Sequence, residues 1–241
     1  MMVPTVAFAA TSSPAKVDVK SATAKSLTYN AKSQTTTIVV NGKTLTLNKD
    51  FKVVSGSLKA TKAGTYTVKI KGIGNYSGDT TVKYTVNAQQ SYKATAAAKT
   101  YNAKNQTTKV TVKYGNTVLK RGTDYKITGV TKAKNAGKYK ITVKGINNYK
   151  GTKTIYYTIN KAAQKSVKVK VNASKKKITV SGVKAKAKVT YKSANKKVKV
   201  KNGKITVGKG VKKGTKVRIT VKVAATKNYK AYSKSIIYKV K

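Results

Sequence analysis

The sequence contains no cysteine, histidine, tryptophan or glutamate among its 241 residues, and these absences exclude several kinds of chemistry. Without cysteine there can be no disulfide bonds, zinc fingers or thiol nucleophiles. General acid–base catalysis most often uses histidine or glutamate, and a serine triad needs a histidine as its base. We therefore expect a non-enzymatic protein that needs no cofactor.

Acidic residues are also scarce, because only four aspartates stand against 54 lysines and arginines, which gives a formal net charge of +50. The aspartates are scattered, and no loop has the dense carboxylate spacing that Ca²⁺ requires, so we expect no metal site. Asp50 and Asp124 occupy equivalent positions before an aromatic residue. This placement predicts a turn or capping role for both side chains.

Long apolar runs are missing as well, and none approaches the length of a membrane span. The N-terminus is apolar as far as Ala10, and Ala7-Phe8-Ala9 fits the small-residue pattern that precedes a signal-peptidase cleavage site. We predict that residues 1–15 are a signal-peptide remnant and an N-terminal tail, with a mature chain beginning at Ala10 or Thr11. A short apolar strand or a disordered tip is the alternative. Export would make the protein extracellular and cell-wall associated.

The residues that are abundant favour β-strands, since valine, isoleucine, threonine and tyrosine dominate and leucine occurs only five times. No window has the apolar spacing of an amphipathic helix. Apolar and polar residues alternate instead, as in 139–144, which predicts strands with one packed face and one wet face. Asn41-Gly42 and Asn202-Gly203 predict two-residue hairpin turns. Val17–Lys20 and residues 91–94 are also predicted to be strands, and we call them leading strands.

A long internal repeat organises the chain. Residues 136–151 repeat residues 63–78 with an offset of 73, and 216–230 form a weaker third copy. Such a period indicates tandem modules. We predict three modules, which are named here the N-terminal segment (16–87), the middle segment (88–160) and the C-terminal segment (161–241). Short strands separated by turns predict all-β sandwiches.

Four motifs in the first two segments carry a family resemblance. They are Tyr-Asn-x-x-x-Gln, Gly-Thr-Asp-Tyr, Asn-Ala-Gly-x-Tyr-x-x-x-Val-x-Gly and Asn-Tyr-x-Gly. The sequence resembles tandem bacterial immunoglobulin-like repeats of secreted and cell-wall proteins of Gram-positive bacteria, over about 28–87 and 100–160. In the N-terminal segment, Asn48-Lys49-Asp50-Phe51 replaces Gly-Thr-Asp-Tyr. The resemblance implies an all-β fold of three tandem immunoglobulin-like β-sandwich modules in an elongated array. It also implies a stalk or adhesion module without catalytic residues.

Positive charge increases towards the C-terminus, where residues 161–241 contain 26 lysines, one arginine and no acidic residue. Solubility needs only a moderate net charge, so a polyanionic partner is expected. We predict electrostatic binding to an anionic polymer of the cell envelope or matrix, such as teichoic acid, acidic glycans or extracellular DNA. The predicted binding residues are Lys168, Lys170, Lys175, Lys176, Lys177, Lys197, Lys199, Lys201, Lys216, Arg218 and Lys222.

Most of the 16 tyrosines lie in phase with valine and isoleucine, which predicts core packing. Tyr114, Tyr156 and Tyr232 break that phase or lie near turns, and they are predicted to form a contact surface for carbohydrate or single-stranded nucleic acid. The alternative function is a structural stalk or a self-associating filament subunit without a specific ligand. Nucleic acid is expected to bind only nonspecifically, because lysine greatly outnumbers arginine.

Overall fold

The computed structural model describes residues 14–241, which form an all-β structure, so the predicted fold class is confirmed. The predicted cleavage site lies outside the described residues. Among residues 14–241 the only helix is a single 3₁₀ turn, Val19–Ser21. No helix in this part of the chain is both long and apolar enough to cross a membrane.

The strands are short in the N-terminal and middle segments, except for one long pair in each. In residues 14–87 they are β1 (Val17–Asp18), β2 (Thr23–Ala24), β3 (Leu27–Thr28), β4 (Gln34–Thr35), β5 (Ile38–Val40), β6 (Lys43–Thr44), β7 (Phe51–Gly56), β8 (Lys59–Ala60), β9 (Gly64–Gly72), β10 (Tyr76–Ser77) and β11 (Asp79–Asn87). In residues 88–160 they are β12 (Lys93–Ala96), β13 (Lys99–Thr100), β14 (Gln106–Thr107), β15 (Val110–Tyr114), β16 (Thr117–Val118), β17 (Tyr125–Gly129), β18 (Lys132–Ala133), β19 (Gly137–Gly145) and β20 (Thr152–Asn160).

The C-terminal segment has fewer and more even strands. They are β21 (Lys168–Asn172), β22 (Lys177–Ser181), β23 (Val189–Ser193), β24 (Val198–Lys201), β25 (Lys204–Val207), β26 (Lys216–Val223) and β27 (Tyr232–Lys239).

The fold divides into two compact units. Within residues 14–241, the first unit comprises the chain from Pro14 to Lys93, Val112–Lys126 and Val143–Lys153. The second comprises Ala94–Thr111, Ile127–Thr142 and Thr154–Lys241. Each unit therefore combines one terminal segment with parts of the middle segment. The division into three modules stays a prediction.

The first unit contains a sheet in the order β3-β11-β9-β7, a sheet in the order β2-β5-β6, and two small two-stranded sheets. Their inward side chains form one core, in which Val68, Ile70 and Tyr84 are almost inaccessible to solvent. The Tyr84 hydroxyl donates a hydrogen bond to the Ser57 carbonyl at 3.1 Å. The Asn41-Gly42 hairpin is confirmed, because both residues have positive φ and join β5 to β6.

Two local predictions for the first unit have different outcomes. Asp50 Oδ2 accepts a hydrogen bond from the Thr46 amide at 2.8 Å, and Asp124 Oδ2 accepts one from the Lys120 amide at 2.7 Å, so their turn role is confirmed. The leading strand Val17–Lys20 is wrong in its second half. There, Asp18 Oδ1 accepts a hydrogen bond from the Lys20 amide at 2.9 Å and begins the 3₁₀ turn.

The second unit contains the sheets β21-β22-β25-β24 and β23-β26-β27, which share one core in the C-terminal segment. Val169 and Ile178 reach this core from the four-stranded sheet, whereas Ile219 and Tyr238 reach it from the three-stranded sheet. Tyr238 is fully buried, and its hydroxyl has no hydrogen-bond partner among residues 14–241. Two sheets on one core make this segment a β-sandwich.

Candidate functional site

The four-stranded sheet of the C-terminal segment exposes a face of lysines. Its strands alternate buried valine or isoleucine with exposed polar residues, because successive side chains point to opposite sides of a strand. We call the exposed side the four-stranded face, and its cations are Lys168, Lys170, Lys177, Lys199, Lys201 and Lys204. No acidic residue occurs anywhere in 161–241 to neutralise them.

Three of these lysines form a row across adjacent strands. Lys177 on β22 lies opposite Lys204 on β25, and Lys204 lies opposite Lys201 on β24. Directly opposite residues have Cβ atoms only about 4.5–5.5 Å apart, and like charges in such pairs destabilise a sheet. The row therefore concentrates positive charge at a cost to the folded state.

The Asn202-Gly203 hairpin creates the row. Asn202 and Gly203 have φ values of +50° and +80°, and the turn pairs Lys201 with Lys204, so this predicted hairpin is confirmed. A Cβ on Gly203 would lie 2.4 Å from the Ile178 carbonyl oxygen, which requires glycine. The Gly203 carbonyl also accepts a hydrogen bond from the Ile178 amide at 2.7 Å, and this bond holds β22 beside the hairpin.

Next to the row, the β21–β22 turn adds two more predicted cations. Asn172 Oδ1 accepts a hydrogen bond from the Lys175 amide at 2.9 Å and fixes the turn. Lys175 and Lys176 then line, together with Asn202 and the row lysines Lys177 and Lys204, an open hollow of about 290 Å³. Four lysines thus line the hollow, and their positive charge suits a phosphate, sulfate or carboxylate group.

Three of the four remaining predicted cations lie on the other sheet. Lys216, Arg218 and Lys222 project from β26 on the side opposite the buried Val217 and Ile219. We call this side the three-stranded face, and its cations are Lys192, Lys216, Arg218, Lys222 and Lys239. Lys216 lies directly opposite Lys239, which repeats the like-charge pairing of the first face.

The predicted set is thus distributed over two faces and two turns rather than gathered into one surface. Lys197 lies on neither sheet, because it occupies the turn before β24, where its Nζ lies 3.4 Å from the position that a Gly210 Cβ would take. The sequence prediction also omitted Lys204, Lys192 and Lys239. Lys204 could have been found, because a two-residue Asn-Gly hairpin necessarily pairs the residues on either side of it.

The three predicted contact tyrosines have different environments. The Tyr114 hydroxyl accepts a hydrogen bond from Gln89 Nε2 at 3.1 Å, and its ring lies edge-on to Tyr149, so it is engaged within the first unit. Tyr232 packs against the core of the C-terminal segment. Tyr156 is half-exposed, and Lys138 Nζ lies 4.4 Å from its ring centroid, which is the geometry of a cation–π contact.

A joint in the first unit connects the N-terminal segment to part of the middle segment. Tyr149 is buried at its centre, edge-on to Tyr29 at 5.6 Å. Asn148 Oδ1 accepts a hydrogen bond from the Ala63 amide at 2.8 Å, and Gln89 Nε2 donates to the Tyr29 carbonyl at 3.1 Å. Burial, with further contributions from neighbouring tyrosines and Asp124, raises the pKa of Tyr149 to about 12.

A similar joint occurs in the second unit. Tyr229 lies edge-on to Tyr101 at 5.3 Å, and Asn228 Oδ1 accepts a hydrogen bond from the Ala136 amide at 2.8 Å. Ala162 forms a parallel bridge with Tyr229. The same Asn-Tyr pair therefore makes the same two contacts in both joints, and specific hydrogen bonds replace a flexible linker.

The comparisons with known proteins come from solved structures alone. No protein-family model and no curated protein matches the sequence. The Drosophila N-cadherin EC1-4 structure aligns over 91% of this chain and 73% of its own, with 11% identity and a TM-score of 0.26. The Sidekick-1 immunoglobulin domains 1-5 align over 92% of this chain and 58% of their own, with 12% identity and a TM-score of 0.25.

A third structure, the human Desmocollin-1 ectodomain, aligns over 91% of this chain and 60% of its own, with 10% identity and a TM-score of 0.25. The chain therefore spans less than two thirds of the Sidekick-1 and Desmocollin-1 chains that it matches. Similarity at this level carries no conclusion about family or function. Residues 14–241 contain no cluster of acidic side chains that could hold a metal ion.

Proposed function

We propose that the protein binds anionic polymers electrostatically through the C-terminal segment and catalyses no reaction. The observation that carries the proposal is the Lys177–Lys204–Lys201 row, in which like charges lie directly opposite one another with no acidic side chain in the segment. Such a row costs folding free energy unless an anion occupies it. A polyanion that binds the folded form would offset that cost by mass action.

The chemistry of lysine favours attraction over specific recognition. A lysine ammonium is a hydrated point charge on a flexible stem, whereas arginine recognises phosphate and base edges with a rigid fork. The four-stranded face contains six lysines and no arginine. We therefore propose as ligands teichoic acid, acidic glycans and, nonspecifically, nucleic acid.

The proposed location is outside the cell and in contact with the cell wall. Its support is the signal-like pattern at residues 7–9 and the resemblance to cell-surface immunoglobulin-like repeats. Extracellular polymers rich in phosphate or carboxylate would then be the most abundant anions within reach.

A second function, that of a structural stalk or filament subunit, is supported by the two joints. In each joint an Asn-Tyr pair makes a side-chain hydrogen bond and an edge-on tyrosine contact. These contacts resist bending between neighbouring parts of one unit. A stalk needs such joints, whereas electrostatic binding does not.

Binding of the full chain to teichoic acid, heparin and duplex DNA across a salt series tests the proposal. We expect the logarithm of the binding constant to fall linearly with the logarithm of salt concentration for all three ligands. The triple variant Lys177→Gln/Lys201→Gln/Lys204→Gln should reduce the DNA salt slope by about 3, since each lost phosphate contact reduces it by about 1.

The matched control is Lys43→Gln/Lys52→Gln/Lys83→Gln, which removes the same charge from exposed positions of the N-terminal segment. If both triple variants reduce the slope equally, binding follows net charge and the proposed site is wrong. If the unaltered chain binds none of the ligands near physiological salt but forms filaments, the stalk or filament function replaces the proposal.

A further inference from the structure

We infer that the C-terminal segment is bivalent and cross-links anionic polymers, because its two cationic faces point in opposite directions. This inference rests on the proposed function, and it adds that binding joins two polymer molecules. One face would hold one polymer, and the other face would remain available for a second.

The opposition of the faces follows from the shared core. Val169 and Ile178 point inward from one sheet, and Ile219 and Tyr238 point inward from the other, into the same cluster. Side chains on the alternate positions of each strand must then point outward, away from the other sheet. The four-stranded face and the three-stranded face are therefore the two outer surfaces of one sandwich.

Both faces carry enough charge to bind independently. The first has six lysines, and the second has four lysines and Arg218. Packed sheets lie about 10 Å apart, and the outward side chains add to that separation. Electrostatic interactions are screened over about 8 Å at physiological ionic strength, so a polymer on one face barely neutralises the other.

The stiffness of the ligand decides whether one molecule could cover both faces. A flexible polymer could pass around an edge of the sandwich, where Lys234 and Lys197 are exposed. Duplex DNA cannot do so at short length, because its persistence length is about 50 nm. A short duplex can therefore occupy only one face, and the number of duplexes bound reports the number of binding faces.

The experiment mixes the full chain with two samples of one duplex of about 20 base pairs, one labelled with a fluorescence donor and one with an acceptor. Energy transfer reports ternary complexes, and anisotropy of the donor duplex reports binding of a single duplex. The face variants are Lys177→Gln/Lys201→Gln/Lys204→Gln and Lys216→Gln/Arg218→Gln/Lys222→Gln. The control is the Lys43, Lys52 and Lys83 triple variant. All substituted side chains are exposed, and circular dichroism checks that each variant is folded.

We expect the unaltered chain and the control to give energy transfer, and either face variant to lower it about tenfold while still binding one duplex. Binding of single duplexes without energy transfer by the unaltered chain would overturn the inference and leave the proposed function intact. Equal energy transfer from all four proteins would also overturn it, because the bridging would then come from other surfaces. No binding at all would refute the proposed function itself.

Discussion

The N-terminal and C-terminal segments have similar interiors and different exteriors. Both bury valine, isoleucine and tyrosine in one core, with Ile70 and Ile219 completely inaccessible to solvent. Outside, the N-terminal segment has three aspartates, and Asp79 lies 3.3 Å from Lys69. The C-terminal segment has no acidic residue at all. The contrast shows that the inner face of each strand specifies the fold, so the outer face can be devoted to charge.

The strands accommodate this separation because their side chains alternate. In β26 every residue from Val217 to Val223 at an odd position is buried, whereas the cations occupy even positions. Successive side chains of a strand point to opposite faces, so charged and apolar residues at alternate positions are kept on opposite sides of the sheet. The contrast between the two segments predicts four measurable differences, each between a residue or region of one segment and its counterpart in the other.

The largest effect is expected in the cores. Ile70→Ala and Ile219→Ala should each destabilise the protein by about 2–5 kcal/mol, because both create a cavity at a fully buried position. Denaturant unfolding of each variant, monitored by hydrogen exchange in each segment, measures the loss of stability. If Ile219→Ala cost far less than Ile70→Ala, the cores would not be equivalent, and charge repulsion would already have loosened the C-terminal core.

The second effect is stabilisation by a polyanion. Duplex DNA at about 100 times its dissociation constant should stabilise the C-terminal segment by about 2.7 kcal/mol. Slower hydrogen exchange is expected at the buried amides of Ile219 and Val221, and little change at those of Val68 and Ile70. Protection of both segments to the same extent would contradict a preferred binding region. High salt serves as the control, because it should remove the protection.

The third comparison uses two buried tyrosines. Tyr84→Phe should cost about 0.5–1.5 kcal/mol, because it removes the hydrogen bond to the Ser57 carbonyl. Tyr238→Phe should be neutral or stabilising, because its buried hydroxyl has no partner among residues 14–241. Urea unfolding of both variants measures the difference. Equal losses of stability would show that the Tyr238 hydroxyl is satisfied in solution.

The smallest effect should differ in sign between the segments. Lys201→Gln should stabilise the protein by a few tenths of a kcal/mol, because it relieves the repulsion with Lys204. Lys69→Gln should destabilise it by a similar amount, since it removes the ion pair with Asp79, which is half-exposed. Thermal unfolding at low salt measures both changes. Their difference should vanish at high salt if electrostatics is the cause.

Much of the fold could be predicted from the sequence because its main signals are local. Alternation predicts strands, and the Asn-Gly pairs predict hairpins, both of which depend on a few neighbouring residues. The leading strand was predicted wrongly after Asp18, because a single side-chain hydrogen bond diverts the backbone into a turn. Alternation carries no information about such a bond.

The candidate site was less predictable, because it depends on which strands become neighbours. The sequence shows that Lys177 and Lys216 are exposed, but only the strand order places them on opposite faces. The prediction that Tyr114 is a contact residue stays a prediction, and the structure adds that Gln89 and Tyr149 contact it. Those partners are 25 and 35 residues away, and no local pattern connects them.

The strict alternation of the lysine strands also governs which mutations the gene can accept. A substitution in β24 changes one side chain, but deletion of Val198 would shift the rest of the strand by one residue, so that Lys199 and Lys201 would turn inward and Val200 towards water. Insertions and deletions are therefore confined to the turns, whereas residues at the exposed strand positions can be substituted freely. Natural variants of this segment should diverge in the identity of their outward residues while keeping the number of residues in each strand.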